Sequence, residues 1–294
     1  MVNTIRRRNE AVAGYLFIMP QLIGMVMFSL LPIISAIVLT FFSWDLFGVP
    51  KFVGLANYID QFKSEDLRKA IFNTVYYTIL VVPVQLILAL LLALSVNKVR
   101  GKVFYRVVYF SPVVTNSVAV CMTWLWLYNG KFGAINGVLS CLGINGPDWL
   151  VDTRLVMPAI AIVSIWQSVG YYMVLFLSGL QSIPRVYYEA AIVDGTSPFK
   201  QFLHITLPLL SSTSFFVLIM SLIGSFQVFE QTFIMTGGGP AKASYTLVLH
   251  IYENAFKYYK MGTASTSAII LFIIILIITS IQLVFQKKWV YYED

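Results

Sequence analysis

Two stretches of this 294-residue chain gather side chains that could do chemistry. The first is Ser164, Gln167, Ser168 and Tyr171, joined further on by Ser221, Gly224 and Ser225. The spacings i, i+3, i+4, i+7 and i, i+3, i+4 place each set on one helical face. Hydroxyls, an amide and a phenol arranged this way offer hydrogen bonds and an aromatic surface to a solute rich in hydroxyl groups. Covalent chemistry is not in view: the apolar segments show neither Ser–His nor Cys–His pairing, and no His/Asp/Glu cluster for a metal. Small residues striping a helix also make an ordinary packing face between membrane helices, so Ser164, Ser168, Ser221 and Ser225 suit either role. Gln167 and Tyr171 lean towards solute contact, because a glutamine facing lipid is costly. Tyr172 and Asn116 are weaker candidates, and Thr74, Thr78 and Gln85 read as packing contacts.

The second stretch is the loop 181–208. Ser182 suits a helix cap and Pro184 a first turn, which predicts a helix to about Val193. Asp194-Gly195 is a turn signal, with Gly195 free to take positive φ. Thr196 or Ser197 then caps a second short helix opened by Pro198, and Leu207-Pro208 closes the loop. A rigid helix–turn–helix follows. Taken alone, it could equally be a pair of amphipathic interfacial helices.

The elements that must hold these residues follow from composition. Apolar residues make up 59% of the chain and charged ones 11%, and mean hydropathy is +0.80. A soluble domain carries about 25% charged residues, so a free-standing soluble enzyme is excluded. The remaining class is an all-α membrane protein in a single domain. Apolar runs predict six spans, at about 14–42, 70–96, 107–128, 156–180, 209–228 and 261–285, each long enough to cross about 30 Å of hydrocarbon. Pro20 and Pro32 predict a tilt or kink in the first, which is too long for a cleaved signal. With both termini inside, the inner segments hold Arg6, Arg7, Arg8, Lys98, Arg100, Lys102, Arg106, Arg185, Lys200, Lys287 and Lys288. Four of these fall within 97–106, which favours the N-in, C-in orientation. Cys121 and Cys141 read as unpaired small apolar residues.

No Asp, Glu, Lys, Arg or His lies well inside a predicted span, and Glu230 sits just past the fifth. Ion-coupled carriers often keep ionisable groups at membrane depth, so their absence argues against a self-contained secondary carrier or channel. Sodium sites built from backbone and hydroxyl oxygens keep that alternative open.

Glu189-Ala190-Ala191, three residues, Gly195, nine residues, then Ile205-x-Leu207-Pro208 resembles the EAA loop of binding-protein-dependent ABC importer permeases. Trp166, Gly179-Leu180-Gln181 and Ile183-Pro184 resemble the approach to that loop in carbohydrate-uptake permeases of the maltose and glycerol-phosphate type. Thr236-Gly237-Gly238-Gly239-Pro240, Ile251-Tyr252 and Ala255-Phe256 resemble their outer segment, closest to the first of the two paired permeases. The resemblance implies a prokaryotic inner-membrane permease subunit that forms the translocation path with a homologous permease. Two cytoplasmic ATPases and an outer solute-binding protein are the other implied partners, and nucleic acid is not one. It further implies that Glu189, Ala190, Ala191, Asp194, Gly195, Ile205, Leu207 and Pro208 couple to an ATPase, and that solute contacts come from spans four and five. The chain has no phosphate-binding Gly-Lys-Ser/Thr loop, so ATP and Mg2+ are expected on the partners and no cofactor here. The spans lack an Arg or Lys to pair a phosphate, which favours a neutral oligosaccharide.

Overall fold

The computed structural model describes residues 2–290, with side chains from Ala13 onward except Lys288. Of the inner basic set, the side chains of Arg6, Arg7, Arg8 and Lys288 lie outside the described residues. Among the described residues, five helices are long and apolar enough to cross a membrane: Ala13–Leu39, Glu65–Lys98, Val156–Ser182, Ser211–Thr236 and Met261–Lys287. A sixth apolar segment is a bent pair, Lys102–Val114 and Ser117–Leu127. The chain is a mostly helical membrane protein, and its contacts divide it into two compact units.

One unit comprises residues 1–64 and 251–270. Helix α1 (Val2–Met25) continues through a five-residue π-turn (Val26–Leu30) into α2 (Leu31–Leu39). Pro20 lies inside α1, and next to Pro32 the helix widens into the π-turn while Ala13–Leu39 continues as one span. Pro32 has no N–H to donate, and the wide turn just before it closes with the Leu31 N–H on the Val26 carbonyl. A two-stranded antiparallel ladder, β1 (Phe42–Ser43) with β2 (Lys51–Phe52), and helix α3 (Ala56–Lys63) follow. Side chains tie these pieces together. Asn57 Nδ2 donates to the Thr40 and Phe42 carbonyls at 2.8 and 3.0 Å, and Ser267 Oγ donates to Gln61 Oε1 at 3.0 Å.

The other unit comprises residues 65–250 and 271–294. Helix α4 (Glu65–Lys98) is followed by α5 (Lys102–Val114), α6 (Ser117–Leu127), α7 (Ala134–Cys141) and α8 (Val156–Ser182). Helix α8 lies at the centre, packed along α4 and against α5 and α12 (Ser211–Phe226). Met173, Phe176 and Leu177 of α8 are buried with Ala89 and Ala93 of α4 and Leu210 and Val217. Gly170 lets α5 approach closely: a Cβ there would run into the Tyr109 carbonyl.

The apolar run 107–128 is not one straight helix. Its two halves meet at 92°, with Thr115 extended and the Asn116 side chain accepting the Val118 N–H at 2.9 Å. The Asn116 cap satisfies an N–H that the break would otherwise leave free, which stabilises the new helix start.

Candidate functional site

A cavity of about 460 Å³ opens beside α8. Ser164, Gln167 and Ser168 line it, as do Ser221, Gly224 and Ser225 of α12, so the two helical faces read from the sequence meet in one chamber. Tyr172 lines the wall and Tyr171 does not; the two rings stand edge-on at 5.2 Å. Tyr77 and Gln85 of α4 and Ser117, at the start of α6, complete this side.

Three further polar residues come from a break in the fifth apolar run. Helix α12 stops at Phe226, Phe229 has φ −139° and ψ −57°, and α13 (Glu230–Thr236) begins the chain again as helix. The interruption turns Gln227, Glu230 and Gln231 into the cavity wall. The predicted span ends at Val228, which puts Gln227 inside it and Glu230 and Gln231 just past it, and none of the three is among the lining residues expected from the sequence.

The wall is wired by side-chain amides. Gln231 Nε2 donates to Gln167 Oε1 at 3.1 Å, and Gln167 Nε2 donates to Ser117 Oγ at 3.2 Å. Gln85 Nε2 donates to Ser168 Oγ at 2.8 Å, and that hydroxyl donates to the Ser164 carbonyl. Ser225 Oγ donates to Thr78 Oγ1 at 3.1 Å. Ser164 Oγ is spent on the Ile160 carbonyl. Ser221 Oγ is buried without a hydrogen-bond partner among the described residues. Both ends of the Gln167 amide are thus engaged, the nitrogen with Ser117 and the oxygen with Gln231. Among the described residues no group of His, Cys, Asp and Glu is placed to hold a metal ion.

The loop 181–208 folds as helix, turn and helix. Helix α9 (Arg185–Val193) follows Pro184, which is its cap; Ser182 instead ends α8, its hydroxyl donating to the Gly179 carbonyl at 2.8 Å. The extended backbone favoured next to proline explains why the new helix starts there. Gly195 has φ +70°, its N–H donates to the Ile192 carbonyl, and the Thr196 N–H donates to the Ala191 carbonyl. That is a Schellman closure, in which the residue after the cap must be left-handed. Ser197 caps α10 (Pro198–Gln201), and a π-turn (Phe202–Thr206) leads into α11 (Leu207–Leu209), with Pro208 in its first turn. Glu189, Ala190, Asp194 and Gly195 are exposed and Ala191 is half-buried. Ala190, Ala191, Asp194 and Ile205 border a groove of about 500 Å³ between the two short helices. Tyr188 of α9 and Thr206 of the π-turn share a hydroxyl hydrogen bond of 2.9 Å.

The glycine segment after α13 needs its glycines: Gly237 and Gly238 have φ +57° and +86°. The loop beyond is strapped to α4. Asn73 Nδ2 donates to the Lys242 and Tyr245 carbonyls at 2.8 and 3.0 Å, and Lys242 pairs with Asp66 at 2.5 Å. Thr74 is a packing residue with a task, its Oγ1 accepting the Leu247 N–H at 2.9 Å.

Residues 62–291 match the family of binding-protein-dependent transport system inner membrane components. The chain belongs to that family. It is 37% identical over 282 residues to the probable ABC transporter permease protein YurN of Bacillus subtilis, covering 94% of this chain and 96% of the relative. It is 34% identical over 284 residues to the sn-glycerol-3-phosphate transport system permease protein UgpA of Agrobacterium fabrum, covering 96% and 97%. A bacterial alginate ABC transporter, solved with its alginate pentasaccharide-bound periplasmic protein, contains a chain of the same fold: TM-score 0.86, 21% identity, 96% of each chain covered. The protein is therefore a multi-pass inner-membrane permease component of an ABC transporter, and not itself an enzyme.

Proposed function

We propose that this chain is the first-type permease of a binding-protein-dependent sugar importer. The observation that carries this reading is the chamber between α8, α12 and α4. Its walls present glutamine amides, hydroxyls and a phenol ring, the groups that recognise a polyhydroxylated solute. The relative named for sn-glycerol-3-phosphate and the trehalose/maltose transport system permease protein MalF of Thermococcus litoralis, 32% identical over 281 residues, support a hydroxyl-rich cargo, anionic in the first and neutral in the second. A homologous permease completes the path, an outer binding protein delivers the solute, and two ATPases hold ATP and Mg2+ on the cytoplasmic side.

In this reading Glu189 to Gly195 dock on an ATPase. Helix α9 buries no side chain, and Ile192 and Val193 are 65% and 87% exposed. A rigid, capped helix pair with an uncovered apolar tip suits a partner groove. Ile205, Leu207 and Pro208 pass the displacement to α12.

Uptake by the complete transporter in vesicles tests the reading. Gly195→Asp should abolish uptake and co-purification of the ATPases at unchanged permease level, because a Cβ residue resists positive φ and an added carboxylate fits badly in a packed joint. Normal uptake with Gly195→Asp, or transport by the lone chain, would overturn it. Orientation is checked by cysteines at Ser197 and Lys242 in a chain lacking Cys121 and Cys141. An impermeant thiol reagent on intact cells should reach the second and not the first.

A further inference from the structure

We propose that Glu230 makes the chamber a charge filter, admitting neutral and cationic solutes such as sugars and amino sugars and turning away anionic ones such as uronates and sugar phosphates. The proposal rests on the sugar-importer reading and narrows its substrate class.

Among the described residues, Glu230 is the one charged side chain lining the cavity, and no Lys, Arg or His joins it there. Its carboxylate has no ion-pair partner among the described residues, so its charge is not cancelled locally. The backbone fixes its place. It is the first residue of α13, directly after the break at Phe229, and Gln227 and Gln231 flank it on the same wall.

On this chain's wall of the chamber an anion would lack what anions need. Phosphates and carboxylates are held by Arg, Lys or clustered N–H donors. Here Gln167 donates to Ser117, Gln231 to Gln167 and Gln85 to Ser168, so each of these amides already spends an N–H within the wall. Glu230 is exposed on the cavity wall, and an unpaired carboxylate there repels like charge within about a Debye length and concentrates positive charge. A neutral sugar meets no such penalty, since its hydroxyls donate to the carboxylate. Rejection by a fixed like charge is selection by exclusion, independent of how well the preferred solute fits.

A helix N-terminus also favours an acidic residue for its own stability, and the test must separate the two roles. Gly224 lines the same cavity, and a Cβ there would meet only the Tyr172 hydroxyl at 3.7 Å, so Gly224→Cys is a tolerated reporter. The complete transporter carrying Gly224→Cys, with Cys121 and Cys141 replaced by Ala, is treated with three methanethiosulfonates: neutral hydroxyethyl, anionic sulfonatoethyl and cationic trimethylammonioethyl. Each rate is divided by the rate with a free thiol. The cation-to-anion ratio should be about tenfold higher with Glu230 than with Glu230→Gln, and Glu230→Asp should keep it high. A nearby carboxylate makes the thiol less acidic for all three reagents alike, so the ratio reports the field at the cavity. A ratio unchanged by Glu230→Gln overturns the proposal. So does failure of all three reagents to react in both the nucleotide-free and the ATP-trapped complex, because the chamber would then be closed to solutes. If the ratio is flat while sugar uptake is normal, the charge filter is lost and the importer reading stands.

Discussion

Helix α8 and the first span, Ala13–Leu39, have the same length of 27 residues, yet 56% of the most apolar stretch of α8 is buried within the chain and none of the first span's is. Helix α8 is the less apolar of the two. Its buried face carries Ser164 and Gln167 beside Met173 and Phe176, whereas the first span shows Phe17 and Phe28 more than 80% exposed. In water this ordering would be reversed. In a bilayer the most apolar helix is the one that lipid or a partner subunit can cover, and polar side chains collect where they find each other. Burial in such a chain is read from polarity and small residues, not from hydropathy.

The comparison is broken most directly at two glycines. Gly170→Leu should sharply reduce the yield of folded transporter, and Gly170→Ala should cost about 1–3 kcal/mol, because the Cβ meets the Tyr109 backbone. At Gly24, in the first span, an added Cβ would find nothing within 4 Å, and Gly24→Ala should stay within about 0.5 kcal/mol. Thermal unfolding of the detergent-purified complex measures both; equal shifts would mean that the first span is packed as tightly as α8.

A smaller effect sharpens the role of polar groups inside. Gln167→Leu removes the partner of Gln231 and of Ser117, and should cost about 1–3 kcal/mol and weaken apparent solute affinity. A cycle with Gln231→Leu should show coupling of about 1 kcal/mol. Additive losses would mean that the amide pair does not act as a unit.

The smallest effect lies outside the membrane. The hydrogen bond to the Glu253 carboxylate, 2.7 Å away, holds the Lys257 ammonium above its ordinary range. A raised lysine stabilises the fold below its unfolded value of about 10.4 and loses that contribution only as pH rises through the folded one. The pair is open to solvent, so Lys257→Ala should leave the melting temperature unchanged from pH 6 to 9. A resolved drop there would show that the contacts of Lys257 with Glu253 and with the Tyr258 ring, 5.5 Å from the ammonium, stabilise the fold more than an exposed pair does.

Much of this architecture was legible in the residues. Long apolar runs marked the membrane helices, and Asp194-Gly195 followed by Ser197-Pro198 gave away the turn and the second cap, because both depend on local backbone preference. What escaped depends on neighbours. Nothing in 107–128 announces a 92° bend, since Asn116 is a helix cap only if the chain turns and a mere polar residue if it does not. Tyr171 and Tyr172 are adjacent on α8, and only the packed helices decide which ring reaches the chamber. Glu230 looked like a loop residue because the apolar run ended before it. The helix break that brings it back to the wall has no composition of its own.

Asn73 has a history written into its partners. The two carbonyls that it holds belong to residues 169 and 172 positions further along the chain. Synthesis is vectorial, so α4 is made and inserted while those residues do not yet exist. For all that time an amide bound for a buried site must be satisfied by something else, and in hydrocarbon nothing would serve. Its position resolves the difficulty: Asn73 lies two turns from the Glu65 end of α4, within reach of interfacial water. The strap that finally covers it closes a chapter of assembly, and the same amide moved two turns deeper would have made the nascent helix a poor client for insertion.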